Sequence, residues 1–533
     1  MAIDTEVAPP RESHATRWGG LGVGFLVKLV IMAILNAFGL LAILAAWRVE
    51  AWGVLTASVI LLLALDWIYF SKRAVPLKYL APGVAFLFIF QLFTMAYTGY
   101  IAFTNYGTAH NLSKAQAIET LLASNERRVE GTSAYNLTVF ERGDELGLAV
   151  VDDGVARFGT ADEPLADVPD ATISEGFVSA LPDWEPVPRN EFFSDPDFAN
   201  RVQTLRVAIS EDPNDGSVRA NNFSTAVVYR SVLVYDEESD TMRNVDTGVL
   251  YSATDEGFFR SEDGTALVTG WRVTVGFDNF KRAFSDGDYA GPLLKVTAWT
   301  FAFATISVLS AFFLGLVMAL IFNDPRIKGR KIWRTLFILP YALPAFLSAL
   351  LFRGMFNSRY GIINDWFFGG AYIQWLQDPW LAKGAILWVN LWLSYPYWFL
   401  ICTGALQALS SETLEAARID GAGPWRMFRS IQLPLLLVST APLIIASFAF
   451  NFNNFTVVYM LTGGDPRFPD ASVPLGHTDI LITAIYQISG VAAGSSSTAD
   501  YGLASALSIL VFIVIGIISA LAFRQTKKLE EVA

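Results

Sequence analysis

Long apolar runs alternate with polar intervals along this chain, and the spacing predicts its architecture. Runs near 23–46, 52–70, 80–103, 293–322, 335–354, 385–408, 435–460 and 502–523 each approach the ~20 residues that a helix needs to cross a bilayer core. They predict a polytopic α-helical membrane protein of about eight transmembrane helices. The first run is too long for the core of a cleaved leader, and a second span follows soon after, so it reads as a retained helix. Between the third and fourth spans the period changes. LTVFERG at 137–143, LGLAVVDDG at 146–154, TLRVAIS at 204–210 and TAVVYRSVLVYDEESD at 225–240 alternate with period two. Asp-Gly and Gly-Asp pairs punctuate them as turns require. The pattern divides the chain into three parts. Residues 1–103 hold a tail and three spans, 104–290 an inserted β-rich domain with a helix near 113–124, and 291–533 a second set of spans.

Basic residues orient the spans. Arg11 and Arg17, then Lys72, Arg73 and Lys78, then Arg326, Lys328, Arg330, Lys331 and Arg334, then Arg418, Arg426 and Arg429, and last Arg524, Lys527 and Lys528 all fall on one side if eight spans cross in turn. The excess of Lys and Arg marks that side as cytoplasmic, with both termini on it and the insert outside. VGFDNFKRAFSDG at 275–287, with Phe277, Phe280 and Phe284 at helical spacing around Lys281 and Arg282, reads as an interfacial elbow helix ahead of the fourth span.

Composition agrees with a membrane protein: 53% of residues are hydrophobic and 17% charged. The net charge of −12 resides mainly in the insert and argues against nucleic-acid binding. Cys402 is alone, so the insert folds without disulfides, and His14, His110 and His477 are too scattered for a metal site. GxxxxGK[ST], HExxH and a serine-hydrolase elbow are all absent, so the chain carries no ATPase or hydrolase chemistry of those kinds.

Two stretches carry chemistry instead. ASFAFNFNNF at 446–455 places Asn451, Asn453 and Asn454 in an apolar span, where an unpaired amide costs about 4–8 kcal/mol. Ser447, Asn451 and Asn454 share a helical face bordered by Phe450. Amides and hydroxyls beside aromatic rings suit a neutral polyhydroxyl ligand; the same amides would serve equally to hydrogen-bond one helix to another. Pro340 and Pro344 around Tyr341, and Pro396 between Tyr395 and Tyr397, put kinks near mid-span where tyrosines could line a cavity. For Tyr395 packing is the preferred reading. The second stretch is EAARIDGAGPWRMFRSIQLP at 415–434, between two spans. Ala416, Ala417 and Gly421 permit close backbone approach, Trp425 and Phe428 form an aromatic ridge, and Glu415 would suit a helix N-terminus. Pro434 suits the first turn of the span that follows.

Glu415-Ala416-Ala417, Gly421 and Ile431-Gln432-Leu433-Pro434 resemble, with their spacing, the EAA signature of bacterial binding-protein-dependent ABC import permeases. The eight spans, the insert after IAFTNY at 101–106, ILPYALP at 338–344, YPY at 395–397 and HTDIL at 477–481 are similar to the larger permease subunits of maltose/maltodextrin importers. That resemblance implies an inner-membrane transport subunit rather than an enzyme, working by alternating access. It implies three kinds of partner: a second, smaller permease, two ATPase subunits that bind ATP and Mg while this chain binds no cofactor, and a periplasmic sugar-binding protein contacted by the insert. It implies a sugar site formed by Tyr341, Leu393, Tyr397, Ser447, Phe450, Asn451 and Asn454, and docking to an ATPase through Glu415, Ala416, Ala417, Gly421, Trp425 and Phe428. Ala345 stands where that pattern has serine and Ser394 where it has glycine, which leaves room for trehalose or another α-glucoside. A membrane signalling scaffold is the reading from another class, and it predicts no dependence of transport on Asn451 and Asn454.

Overall fold

The computed structural model describes residues 23–49, 51–71, 75–130, 134–188, 195–324, 326–469, 474–490 and 499–530. Arg11, Arg17, Lys72 and Arg73 lie outside them, as do the side chains of Lys527 and Lys528. Two compact units, Met1–Tyr97 and Thr98–Ala533, make up the chain.

In the first unit, α1 (Val23–Arg48) and α2 (Trp52–Phe70) form a hairpin, and α3 (Val75–Ala102) follows with a π-helical stretch at Leu87–Leu92. Lys78, counted above among the loop cations, lies inside α3. Leu, Ile, Val and Phe side chains are exposed around these helices, as a lipid surrounding requires. One polar pair crosses the hairpin: Asn36 donates through Nδ2 to Asp66 Oδ1 at 2.9 Å.

The second unit opens with the insert. Helix α4 (Lys114–Ser124) starts at a capping box in which Ser113 and Gln116 satisfy each other's backbone N–H groups. In the larger antiparallel sheet, Tyr135–Arg142 lies between Glu145–Asp152 and Thr225–Ser231, with Val155–Thr160 beyond the former and Ser217–Asn222 beyond the latter. Alternate residues Leu137, Val139, Leu148, Val150, Val218 and Val228 pack with Phe198 and Val202 of α5 (Pro196–Thr204). The segment 204–210 contributes only the short strand Val207–Ala208. The alternating run at 225–240 is not one strand: it breaks at Val232, and Leu233–Asp236 begins a separate four-stranded meander that ends at Phe259–Ser261. On the short strand Glu126–Arg128, which pairs with Thr225–Ser231 in the larger sheet, Glu126 has a side chain 1% exposed that accepts from Arg206 at 3.0 Å, from Ser217 at 2.7 Å and from Arg219.

Two asparagines tie the ends of the insert together. Asn105 accepts from the Val273 N–H at 2.8 Å and donates to the Trp271 carbonyl at 3.2 Å. Buried Asn279, in α6 (Asp278–Ser285), donates to the carbonyls of Ala102 at 3.0 Å and Thr104 at 2.8 Å. Helix α6 is the elbow read from the sequence, with Phe277 and Phe284 exposed at its ends.

The remaining α-helices of seven or more residues among those described are α7 (Gly287–Asn323), α8 (Arg330–Ile338), α9 (Ala345–Met355), α10 (Ile362–Phe368), α11 (Pro379–Ala408), α12 (Ser411–Ile419), α13 (Leu433–Phe452), α14 (Phe455–Thr462), α15 (Leu481–Ile488) and α16 (Tyr501–Glu530). Helices α7 and α11 approach closely because Gly315 leaves no side chain between them: a Cβ there would stand 2.6 Å from the Phe399 backbone nitrogen. Among the described residues seven helices are long and apolar enough to cross a membrane, and eight if one bent pair counts as a single span. That pair is the span expected at 335–354. Rather than kinking gently it turns by 91° between Arg330–Ala342 and Ala345–Met355. Pro344 cannot donate an N–H and drives Leu343 to extended backbone, φ −89° and ψ 135°, so the helix ends and restarts. Pro396, by contrast, is accommodated inside continuous α11.

Candidate functional site

The span at 435–460 is also interrupted, and the interruption builds the site. Helix α13 ends at Phe452, Asn453 leaves helical geometry, and Asn454 caps α14 by accepting from the Val457 N–H at 3.4 Å. Asn451 and Asn454 thereby both reach Asn390 of α11. Asn390 Nδ2 donates to Asn451 Oδ1 at 2.8 Å, and Asn454 Nδ2 donates to Asn390 Oδ1 at 2.9 Å. Asn451 Nδ2 donates in turn to the Ser447 carbonyl at 2.8 Å. Asn453 is exposed and turns back toward the Ala449 carbonyl, away from this cluster.

A cavity of ≈ 560 Å³ opens beside the three amides. Tyr341, Leu393, Tyr397, Ser447, Phe450, Asn451 and Asn454, the residues singled out from the sequence, all line it. Ala345 and Ser394 line it too. Its size suits a small organic ligand, and no lining side chain carries a charge. Each amide nitrogen has two hydrogens and spends one on a neighbour, so three N–H donors remain uncommitted among the described residues. The cluster therefore joins α11 to α13 and α14 and leaves amide N–H groups uncommitted in the wall of the cavity. Tyr341 and Phe450 are 58% and 69% exposed, so the chain leaves the cavity's aromatic rim uncovered. Asn390 is the residue that sequence reasoning missed. Its signal was a lone amide in the apolar run ILWVNLWL at 386–393.

The segment at 415–434 begins between two spans and runs into the start of the second, which extends over Pro424–Thr462. Ser410 caps α12 by accepting from the Thr413 N–H at 3.4 Å, so the acid in the first turn is Glu412. Glu415 sits in mid-helix, which corrects its reading as a helix-opening charge. Helix α12 ends at Ile419 with Asp420 as its C-cap, and Gly421, with a φ of +80°, follows in the left-handed region. A turn at Pro424–Met427 then runs through π-helical Phe428–Gln432 into α13, with Pro434 in the first turn of that helix. Glu415, Ala416, Gly421 and Trp425 are exposed, and Ala417 is half-buried. Phe428 is not part of a free aromatic ridge: it packs against the core that contains Leu406 and Leu436, 5.7 Å from the Trp425 ring.

On the opposite end of the bundle, HTDIL forms a buried anchor. Asp479 is fully buried in the loop between α14 and α15 and accepts from the Gly476 N–H at 2.9 Å and Thr483 Oγ1 at 2.7 Å. Burial pushes its carboxyl up to about 6, against those hydrogen bonds and the Arg467 charge. His477 lies against Phe468, 4.4 Å between ring centroids. Among the described residues no group of His, Cys, Asp and Glu could hold a metal ion.

Apolar helices bordering an uncharged cavity of amides, hydroxyls and aromatic rings, with an exposed helix between two spans, define a multi-pass membrane transport permease. Two family models match: the N-terminal region of the transmembrane subunit in PBP-dependent ABC transporters over residues 85–162, and the binding-protein-dependent transport system inner membrane component over residues 311–528. The maltose/maltodextrin transport system permease protein MalF of Vibrio vulnificus (strain YJ016) is 33% identical over 88% of this chain and 89% of its own. MalF of Escherichia coli (strain K12) is 32% identical over 97% of each. A solved bacterial ABC transporter, involved in import of the acidic polysaccharide alginate, aligns with a TM-score of 0.41 at 22% identity, over 48% of this chain and 84% of that one. The chain belongs to the MalF family of transport permeases, which are membrane components of binding-protein-dependent ABC importers and not enzymes.

Proposed function

We propose that this chain is the larger permease subunit of an ATP-driven importer that carries maltose and maltodextrins across the bacterial inner membrane. The observation that carries this reading is the uncharged cavity with three amide N–H donors beside aromatic rings, in a chain whose relatives are maltose/maltodextrin permeases. Hydroxyl and glycosidic oxygens accept such hydrogen bonds, while the rings cover the apolar faces of a sugar.

In this mechanism a periplasmic binding protein delivers the sugar to the outer face, where the insert contacts it. Two ATPase subunits, holding ATP and Mg, close against the exposed α12 segment of this chain and the matching segment of a smaller partner permease. Closure opens the cavity outward, the sugar transfers to Asn390, Asn451 and Asn454, and hydrolysis returns the cavity to the inside. Both termini are cytoplasmic on the loop-charge rule.

The test is sugar-stimulated ATP hydrolysis by the reconstituted complex with its binding protein, measured with maltose, maltotriose, trehalose, sucrose and no sugar. Stimulation by maltose and maltotriose is expected. Stimulation by trehalose or sucrose alone would reassign the substrate, with Ala345 and Ser394 the first positions to exchange.

A further inference from the structure

A second cavity, of ≈ 390 Å³, lies beyond the first on the same structural elements. Three elements give its direction. On α9, Ala345 lines the inner cavity and Arg353 the outer one, eight residues or about 12 Å further along the helix. On α14, Val457 lines the inner cavity and Thr462 the outer, about 7 Å on. Helix α11 runs the opposite way: Gln377, just ahead of its first residue, lines the outer cavity and Asn390 the inner. The two cavities therefore stand one above the other, the second on the side where α9 and α14 end and α11 begins. By loop charge that is the outer side of the membrane.

The outer cavity holds polar side chains that the protein does not use. Arg353 makes no ion pair or hydrogen bond among the described residues, although it lies in the last turn of α9. Asn357 accepts the Arg359 and Tyr360 N–H groups, each at 2.9 Å, through Oδ1, and its Nδ2 is uncommitted. The Gln377 side-chain amide is likewise free among the described residues. Arg467, in contrast, is held by Asp465 at 2.9 Å, and its charge is offset there. What remains is one guanidinium and two amides around walls that include buried Phe356 and Leu461. Unlike the inner cavity, this one is lined by charged side chains, Arg353 and the Asp465–Arg467 pair, but like it this one offers amide donors beside apolar surface.

We propose that this outer cavity is a second saccharide subsite, binding the trailing glycosyl units of an oligosaccharide whose leading units occupy the inner cavity. The proposal rests on the importer reading. A disaccharide fills only the inner site, so the outer groups contribute to longer substrates alone.

The experiment compares Arg353→Ala and Gln377→Ala with the parent chain in the reconstituted complex, measuring sugar-stimulated ATP hydrolysis against maltose and maltoheptaose concentration. Each substitution removes about one hydrogen bond, so the apparent KM for maltoheptaose should rise about five-fold while that for maltose moves less than two-fold. Unchanged maltoheptaose values in both variants would overturn the subsite. So would an equal loss for both sugars, which marks instead a contact with an acidic side chain of the binding protein or a folding defect. Absence of stimulation by either sugar in the parent chain would reject the importer reading itself, a distinct outcome.

Discussion

Asn390 and Asn451 face each other across two helices, with the amide nitrogen of one 2.8 Å from the amide oxygen of the other. Asn454 completes the cluster from the second helical piece, so a single side chain on α11 holds both ends of the break at Asn453. Asn390→Ala should leave a buried acceptor on Asn451 and a donor on Asn454 unpaired. The expected cost is about 1–3 kcal/mol, read as a lower unfolding temperature of the purified complex. Sugar-stimulated ATP hydrolysis should show a KM at least about ten-fold higher. Asn390→Asp should be no better, because a carboxylate cannot donate to Asn451.

Gly421 occupies left-handed backbone with nothing within 4 Å of the place a Cβ would take. Substitution there strains the chain without a clash. Gly421→Ala should cost about 1–2 kcal/mol locally and lower sugar-stimulated ATP hydrolysis while sugar binding persists. Gly421→Asn, which tolerates this geometry, should retain more activity than the alanine variant. Equal loss in the two would point to contact rather than conformation.

Asp479 sets a pH dependence whose sign follows from its raised carboxyl. The folded chain holds this proton more tightly than the unfolded chain does. Stability should therefore fall as pH rises from about 4 to about 6 and level off above that, by at most about 3 kcal/mol for a shift of about two units. Thermal unfolding of the parent chain and Asp479→Asn, followed from pH 4 to pH 8, isolates the contribution as the difference between the curves. Parallel curves would remove Asp479 as its source.

Glu126 is the acid on which Arg206 and Arg219 converge inside the insert. Glu126→Ala should strand both cations and destabilise the domain by about 3 kcal/mol. Limited proteolysis of the full-length chain should then cut within the strands sooner, while fragments containing the spans keep their resistance.

Much of this was legible in the chain. Runs of apolar residues as long as a bilayer is thick announce spans, because lipid admits little else, and the change to period two announces strands. Ser113 and Gln116 mark the start of α4 by local hydrogen bonding alone. The EAA pattern and the amides near 451 were visible as polar or small residues where apolar ones are the rule. These features depend on neighbours a few residues apart, and period and composition record such neighbours directly.

The tertiary structure decided the rest. The sequence places two prolines around Tyr341, which marks a break there, but the 91° angle between the two helical pieces appears only in the folded chain. Alternation runs unbroken from 225 to 236, yet its two halves join different sheets, because strand partners come from elsewhere in the chain. Asn390 looked like one stray amide; it becomes the link between two helices because Asn451, 61 residues later, is folded against it. Which polar groups satisfy one another inside a membrane protein depends on which helix faces are brought together. Periodicity names the face, and only the assembled bundle names its partner.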